Sequence, residues 1–198
     1  MKQSLIVLFL FMLTACGSIG YNLAELTGFS YLYDRRDSVA IETDEHIEDS
    51  ATIALYRLGD VKKKSHITIS SYNARVLITG EVENAEVLEK IIFNVRTISG
   101  VKSVYNELII APASSVQSRK EDSLLRVRVN DALAEIDNMP DFDAVHIKVI
   151  SDNQIIYLMG LVHEEEAAIV AETIQKIDGV KKVVTVFEYI GYAEIKNK

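Results

Sequence analysis

The chain has 198 residues, 48% hydrophobic and 25% charged, a balance that fits one or two packed domains and excludes a wholly disordered segment. Its formal net charge of −8 argues against a nucleic-acid binder, because neutralising a phosphate backbone needs a dominant basic surface. Cys16 is the only cysteine, so an intramolecular disulfide is excluded and stability has to come from packing.

The amino terminus reads as an address. Lys2 is followed by an almost wholly apolar run from Leu5 to Leu13, the pattern of an export-signal core and too short to cross a bilayer as a helix. The run closes on Leu13-Thr14-Ala15-Cys16, which resembles a bacterial lipobox. Small residues there admit a peptidase, and the thiol of Cys16 takes a diacylglyceryl group. Residues 1–15 are then the signal peptide, and Cys16, carrying covalent lipid such as palmitate, becomes the mature amino terminus. Each buried methylene contributes about 0.8 kcal/mol, so several acyl chains hold the protein without help from its fold. Gly17 and Ser18 follow, and the lack of aspartate at that point predicts sorting to the outer membrane, facing the periplasm. Residues 16–43 form a lipidated start and tether, in which Tyr31, Tyr33, Arg35 and Arg36 leave open whether the segment is free or packs on a domain.

Beyond the tether the chain repeats itself at a spacing of about 80 residues. Ile67-Thr68-Ile69 aligns with Ile147-Lys148-Val149, Asn73 with Asn153, Gly80 with Gly160, and Val82 with Val162. After the loss of one loop residue, Leu88, Ile91, Val95 and Ile98 align with Ala167, Val170, Ile174 and Ile177, and Gly100-Val101-Lys102 with Gly179-Val180-Lys181. Upstream, Ala54-Leu55 matches Ala132-Leu133 on a first helix. Each copy reads as helix, strand, strand, helix, strand, because its central runs alternate with period two and its flanking runs repeat at three and four. The predicted fold is therefore α+β: two tandem modules over residues 44–111 and 119–191, each with helices packed on a small three-stranded sheet. Pro112 and a serine-rich stretch mark residues 112–118 as the linker, and 192–198 form a tail.

Along the strands, Val76, Ile78 and Val82 share one face and predict the core of the first copy. Asn73 and Asn153 fall between two strands, where asparagine tolerates the left-handed conformation of a tight turn. In the second copy the opposite face, Tyr157, Met159 and Leu161, is apolar too and is expected to be covered by the first module or the linker. The matching face of the first copy, Leu77, Thr79 and Glu81, is expected to meet water.

The repeated pattern of an Ala-Leu helix, a strand, Val-x-Ile/Leu-x-Gly-x-Val, a helix and Gly-Val-Lys-x-Val resembles the BON domain, over roughly residues 40 to 190. Asn84-Ala85-Glu86, Val104-Tyr105-Asn106-Glu107 and Leu158-Met159-Gly160-Leu161-Val162 carry the likeness. With the lipobox, the whole is similar to the dual-BON outer-membrane lipoproteins. That resemblance implies binding of an anionic phospholipid such as phosphatidylglycerol through the first helix of the second domain, and a part in keeping the outer membrane intact.

On that helix Leu125, Val129, Ala132, Leu133 and Ile136 fall on one face and should be core, which leaves Leu124 and Val127 exposed. Arg126 and Arg128 lie beside them and Arg119 and Lys120 just upstream, an apolar and cationic set suited to an anionic headgroup region, with Glu121, Asp122 and Asp131 subtracting from it. The first copy has His46, Glu48, Asp49 and Ser50 at the positions of Leu124, Arg126, Val127 and Arg128. A second reading stays open, in which the same helix or the apolar sheet faces dock an envelope-assembly or wall-associated protein.

No catalytic or metal-binding spacing stands out, and no cofactor beyond the covalent lipid on Cys16 is implied. His66 and His146 precede equivalent strands and read as a repeated structural position. Glu164, Glu165 and Glu166 open a helix whose dipole favours carboxylates, so capping and solvation explain them. Lys62, Lys63 and Lys64 read as a solubilising loop. Replacement of Cys16 by alanine is expected to abolish incorporation of radiolabelled palmitate and to move the protein from the membrane pellet to the soluble periplasmic fraction.

Overall fold

Three polar residues decide where the long helices begin. Asp37, Asn84 and Ser115 each accept a hydrogen bond from a backbone N–H three residues on, the N-cap interaction that satisfies an otherwise orphaned donor. Helix α1 runs Ser38–Arg57, α2 Ala85–Arg96 and α3 Val116–Ala134. So α1 begins inside the stretch expected as tether and α3 inside the expected linker, because Asp37 and Ser115 supply the caps.

In the computed structural model, residues 33–59, 61, 65–137 and 139–191 are described. Cys16, the signal segment, Tyr31 and the lysine run 62–64 lie outside them. Strands β1 (His66–Tyr72) and β2 (Arg75–Val82) pair antiparallel, and β3 (Ser103–Ile110) returns through α2 to pair parallel with β2. The second half repeats this order with α3, a short 3₁₀ turn Ala144–His146, β4 (Ile147–Asp152), β5 (Ile155–Val162), α4 (Glu164–Gln175) and β6 (Lys182–Tyr189). Each module is the expected helix, strand, strand, helix, strand unit on a three-stranded sheet.

The repeated Gly80 and Gly160 have a steric cause. A Cβ on Gly80 would lie 1.9 Å from the carbonyl oxygen of His66, and one on Gly160 would lie 2.5 Å from that of His146. Only a residue without a side chain lets the neighbouring strand start there. His66 and His146 each offer that backbone carbonyl at the place where the strand meets the glycine.

In each module the front of the sheet carries the helices. Ile47, Val76, Ile78, Val82, Ile91 and Val95 are sealed in the first core, and Leu125, Val129, Leu133, Leu158, Val170 and Ile174 in the second. The backs of the two sheets face each other. Tyr157, Met159 and Leu161 are buried, as expected, in one cluster with Tyr72 and Leu77 of the first module. Leu77, Thr79 and Glu81, expected at water, are buried as well, at 1%, 0% and 2% exposure. The alternation of Leu, Thr and Glu looked amphipathic, yet its polar members meet the second module and linker. Glu81 accepts from Asn153 Nδ2 and, at 3.0 Å, from the Ser114 N–H.

Polar bonds ring this seam. Tyr72 donates its hydroxyl to the His146 carbonyl at 3.2 Å, Lys148 pairs with Glu48, and Arg75 with Glu188. Two adjacent arginines of the segment before α1 reach opposite modules. Arg36 bonds Asp44 of the first at 2.9 Å, and Arg35 grips Glu166 of the second at 2.6 and 2.7 Å. Burial works to raise the Glu166 carboxyl, but the hydrogen bonds from Arg35 and from the His163 N–H outweigh it and hold the group below the usual carboxylate range. Glu166 does cap the helix, accepting the His163 N–H at 2.9 Å, but it is buried and not solvated. The end of the tether segment thus packs on the folded unit.

The hairpin turns rest on one buried carboxylate each. Asn73-Ala74 and Asn153-Gln154 all have positive φ, between 50° and 64°, the geometry of a tight two-residue hairpin turn and a strained one for alanine and glutamine. Asp44 on α1 accepts the N–H groups of Asn73 and Ala74, both at 2.7 Å, and the Ser71 hydroxyl at 2.6 Å. Asp122 on α3 does the same for Asn153 at 3.0 Å, Gln154 at 2.8 Å and Ser151 at 3.1 Å. Asp122 therefore points inward and is no part of the surface that it was expected to weaken.

An Asp122→Ala variant strands two turn amides, each costing about 1–3 kcal/mol when left unpaired. It is expected to lower the urea midpoint of unfolding clearly, by an amount corresponding to about 2–4 kcal/mol. Asp122→Asn should lose less, since it keeps one acceptor oxygen.

Candidate functional site

Helix α3 exists as a surface because its inner stripe is apolar and its caps are satisfied. Leu125, Val129 and Leu133 are at most 1% exposed, with Ala132 and Ile136 packed beside them. Residues at about 100° per step then place Lys120, Leu124 and Val127 within roughly 60° of one another on the opposite side. Leu124 is 57% exposed and Val127 54%. Val116, one turn earlier on the same ridge and 75% exposed, is a further apolar member that the sequence reading did not single out. Its position between the linker and the helix hid it.

The six residues expected to read lipid do not form one patch. Lys120, Leu124 and Val127 share the outer ridge, whereas Arg119 and Arg126 lie on the flank that faces the first module. Arg128 turns towards the loop after α4, donating to the carbonyl of Asp178 at 2.8 Å and lying against Gly179. Gly179 and its counterpart Gly100 both have φ +92°, in the turn three residues beyond the right-handed helix caps Lys176 and Thr97.

Arg119 and Arg126 line a groove of about 340 Å³ together with His66, Ser70, Lys148 and Asp152. The groove joins the two sheet edges β1 and β4 to the flank of α3. Its electrostatics are mixed. Burial and the charge of Arg119 keep the His66 ring below its ordinary value, against the opposing pull of Glu81 at 3.9 Å. Burial pushes the Tyr157 hydroxyl up, with Glu107 and Asp152 adding to the effect. Burial, helped by the charges of Glu81 and Asp122, raises Asp152 to about 6.

His146 and His163 have structural partners. The His146 ring accepts the Asp143 N–H at 3.0 Å, and His163 Nδ1 meets the Ile190 carbonyl at 2.8 Å. Among the described residues, no helix is long and apolar enough to cross a membrane.

Two tandem α+β modules with one exposed apolar ridge on the second define the class. The family profile described as BON domain matches residues 43–112 and 121–191, and the chain belongs to the BON domain family. It is 34% identical to the "Outer membrane lipoprotein DolP" of Haemophilus influenzae, over 74% of this chain and 75% of that protein. The relationship makes the chain an outer-membrane BON-domain lipoprotein, lipid-anchored and facing the periplasm. It is also 25% identical to the "21 kDa hemolysin" of Actinobacillus pleuropneumoniae, over 79% of each chain. A solved C-terminal domain of CdsD, a structural protein of the type III secretion system of Chlamydia trachomatis, covers 72% of this chain and 96% of that one at a TM-score of 0.31 and 12% identity, too slight a likeness to argue from.

The raised Asp152 carboxyl has a definite consequence. The folded state holds its proton up to about 6, while the unfolded chain releases it near 3.8. Folding therefore carries no penalty from this group below about 3.8, and the penalty grows with pH until it is complete above about 6. Asp152→Asn is expected to raise stability by about 1 kcal/mol at pH 7.5 and to leave it nearly unchanged at pH 4, read as the shift in thermal midpoint at each pH.

Proposed function

We propose that the protein is a non-enzymatic outer-membrane lipoprotein that binds anionic phospholipid through α3, the first helix of its second BON domain, and supports outer-membrane integrity. The observation that carries this reading is the outward pair Leu124 and Val127, each more than half exposed, on the same ridge as Lys120. On the first helix of the first domain the matching positions hold His46 and Asp49, both exposed and polar, so the Leu124 and Val127 pair has no counterpart there, although that helix exposes Val39 and Ile53 at other positions.

The energetics suit reversible contact. A leucine taken from water contributes about 1.5–3 kcal/mol, and each basic residue beside an anionic leaflet about 1 kcal/mol. The acyl chains on Cys16 supply the permanent attachment, and the ridge adds sensitivity to local lipid charge. Phosphatidylglycerol has the chemistry required: an anionic headgroup for Lys120 and the neighbouring arginines, and an apolar region for Leu124 and Val127. Arg128 contributes less than its sequence position implies, because its guanidinium is already engaged by the Asp178 carbonyl.

The rival reading is a periplasmic adaptor for an outer-membrane assembly or cell-wall protein. The apolar sheet face around Tyr157 and Met159 no longer favours it, since the first module covers that face. What remains to that reading is the same ridge, with a protein as its occupant.

Sedimentation of the chain from residue 17 onward with phosphatidylglycerol-containing vesicles, at low ionic strength where attraction is least screened, tests the proposal. Binding is expected to exceed that to neutral vesicles and to fall about tenfold or more in Leu124→Asp and in Val127→Asp, with a smaller loss in Arg128→Glu. Equal binding to both vesicle types, or none, would move the ridge to the adaptor reading.

A further inference from the structure

The two modules close the same end of their cores differently. In the second, residues 135–146 connect α3 to β4, and Met139, Phe142 and Ala144 of that connection pack on the core. Phe142 meets the His146 ring edge-on, with 5.9 Å between centroids, and His146 Nδ1 accepts the Asp143 N–H at 3.0 Å. In the first module the connection from α1 to β1 is shorter, residues 58–65, and holds no aromatic residue. Leu58 and Val61 are what it adds to the core among the described residues.

The difference shows in burial. Leu133, Ile147 and Val149 of the second module are sealed, at 1%, 6% and 8% exposure. Their counterparts Leu55, Ile67 and Ile69 are only partly buried and line a cleft of about 590 Å³, within the roughly 300–1,000 Å³ of ligand sites. Tyr56 lines it too, and Ile53, one turn earlier on the same face of α1 and 52% exposed, carries the apolar surface outward.

The polar groups of this place are incomplete in the same way. His66 Nδ1, the counterpart of the nitrogen that takes the Asp143 N–H, is buried with no hydrogen-bond partner, and Glu81 Oε2 lies 3.9 Å from it, beyond hydrogen-bond length. The Ser65 hydroxyl, in the same lining, is also buried and unpartnered. Arg119 stands in the wall, and no carboxylate does so among the described residues. Charge therefore favours an acidic occupant, and the plug of the second module has that character, with Phe142 between Asp141 and Asp143.

We propose that the cleft of the first module receives a peptide segment of a partner protein in which an aromatic residue is flanked by a carboxylate, supplying from outside what Phe142 supplies within the second module. The ring packs on Leu55, Ile67 and Ile69, and the flanking carboxylate meets Arg119. A buried aromatic anchor of this kind carries much of the energy of a small interface. The site goes beyond the lipid reading of α3 and does not depend on it, since neither Leu124 nor Val127 lines the cleft.

The test is an amide-shift titration of isotope-labelled residues 17–198, which keep the whole compact unit from Arg35 onward. The probe is an end-blocked peptide with the sequence of residues 137–146, and the same peptide with Phe142→Ala and decanoate form parallel arms. Saturable shifts are expected at Leu55, Val61, His66, Ile67 and Ile69, weakened about tenfold or more when the ring is removed. In the protein, Thr52→Trp, which fills the cleft from an exposed position, should weaken binding about tenfold and Arg119→Gln about threefold, while Leu124→Asp should change it less than about twofold. The proposal is overturned by an absence of saturable shifts at those residues, by shifts confined to Lys120 through Val127, by equal affinity for the alanine peptide, or by decanoate saturating the same residues more tightly than the peptide. Because Leu124→Asp removes the ridge and leaves the cleft intact, failure of either reading is visible separately.

Discussion

The stacking of the two sheets back to back, through Leu77 and Tyr72 on one side and Tyr157 and Met159 on the other, is the contact on which the rest of the arrangement depends. A three-stranded sheet with helices on one face leaves its second face to be covered, and a small module alone has nothing to cover it with. Duplication solves this by supplying a second sheet. Once the backs are joined, the helices of both modules lie on the outside, and α3 is free to present an apolar ridge without exposing its core.

That packing turns polar residues of the seam into interior groups. Glu81, Thr79 and Asp152 sit in a layer that water leaves, and the cost of burying Glu81 is offset by Asn153 and the Ser114 N–H. The layer is thus held by polar bonds as well as by apolar area, and Asp152 keeps its proton to higher pH than usual as the consequence. Arg35 and Arg36 extend the same logic to the end of the tether, each neutralising a buried carboxylate of a different module.

Repetition also marks features that serve the fold of each module. Asp44 and Asp122, Gly80 and Gly160, His66 and His146 occupy equal places and do equal work in turn and strand geometry. Leu124, Val127, Arg119 and Arg126 have no such counterparts. The outward pair Leu124 and Val127, on which the proposed lipid contact rests, is among the positions where the two copies differ.

Periodicity and self-alignment were enough to establish the duplicated helix and strand order, the inner face of α3 and the exposure of Leu124 and Val127, because those follow from local spacing within one element. The glycine positions and the asparagine turns were legible for the same reason. The fate of Leu77, Thr79 and Glu81 was not, since a mixed strand face looks solvent-directed until a second sheet is laid on it. Helical spacing does put Asp122 on the inner stripe with Leu125, Val129 and Leu133, but it could not reveal that Asp122 holds the Asn153 turn, that Arg128 is engaged by Asp178, or that Arg119 and Arg126 meet His66 in one groove. Those depend on contacts between residues tens of positions apart, and only the tertiary packing of one module on the other decides them.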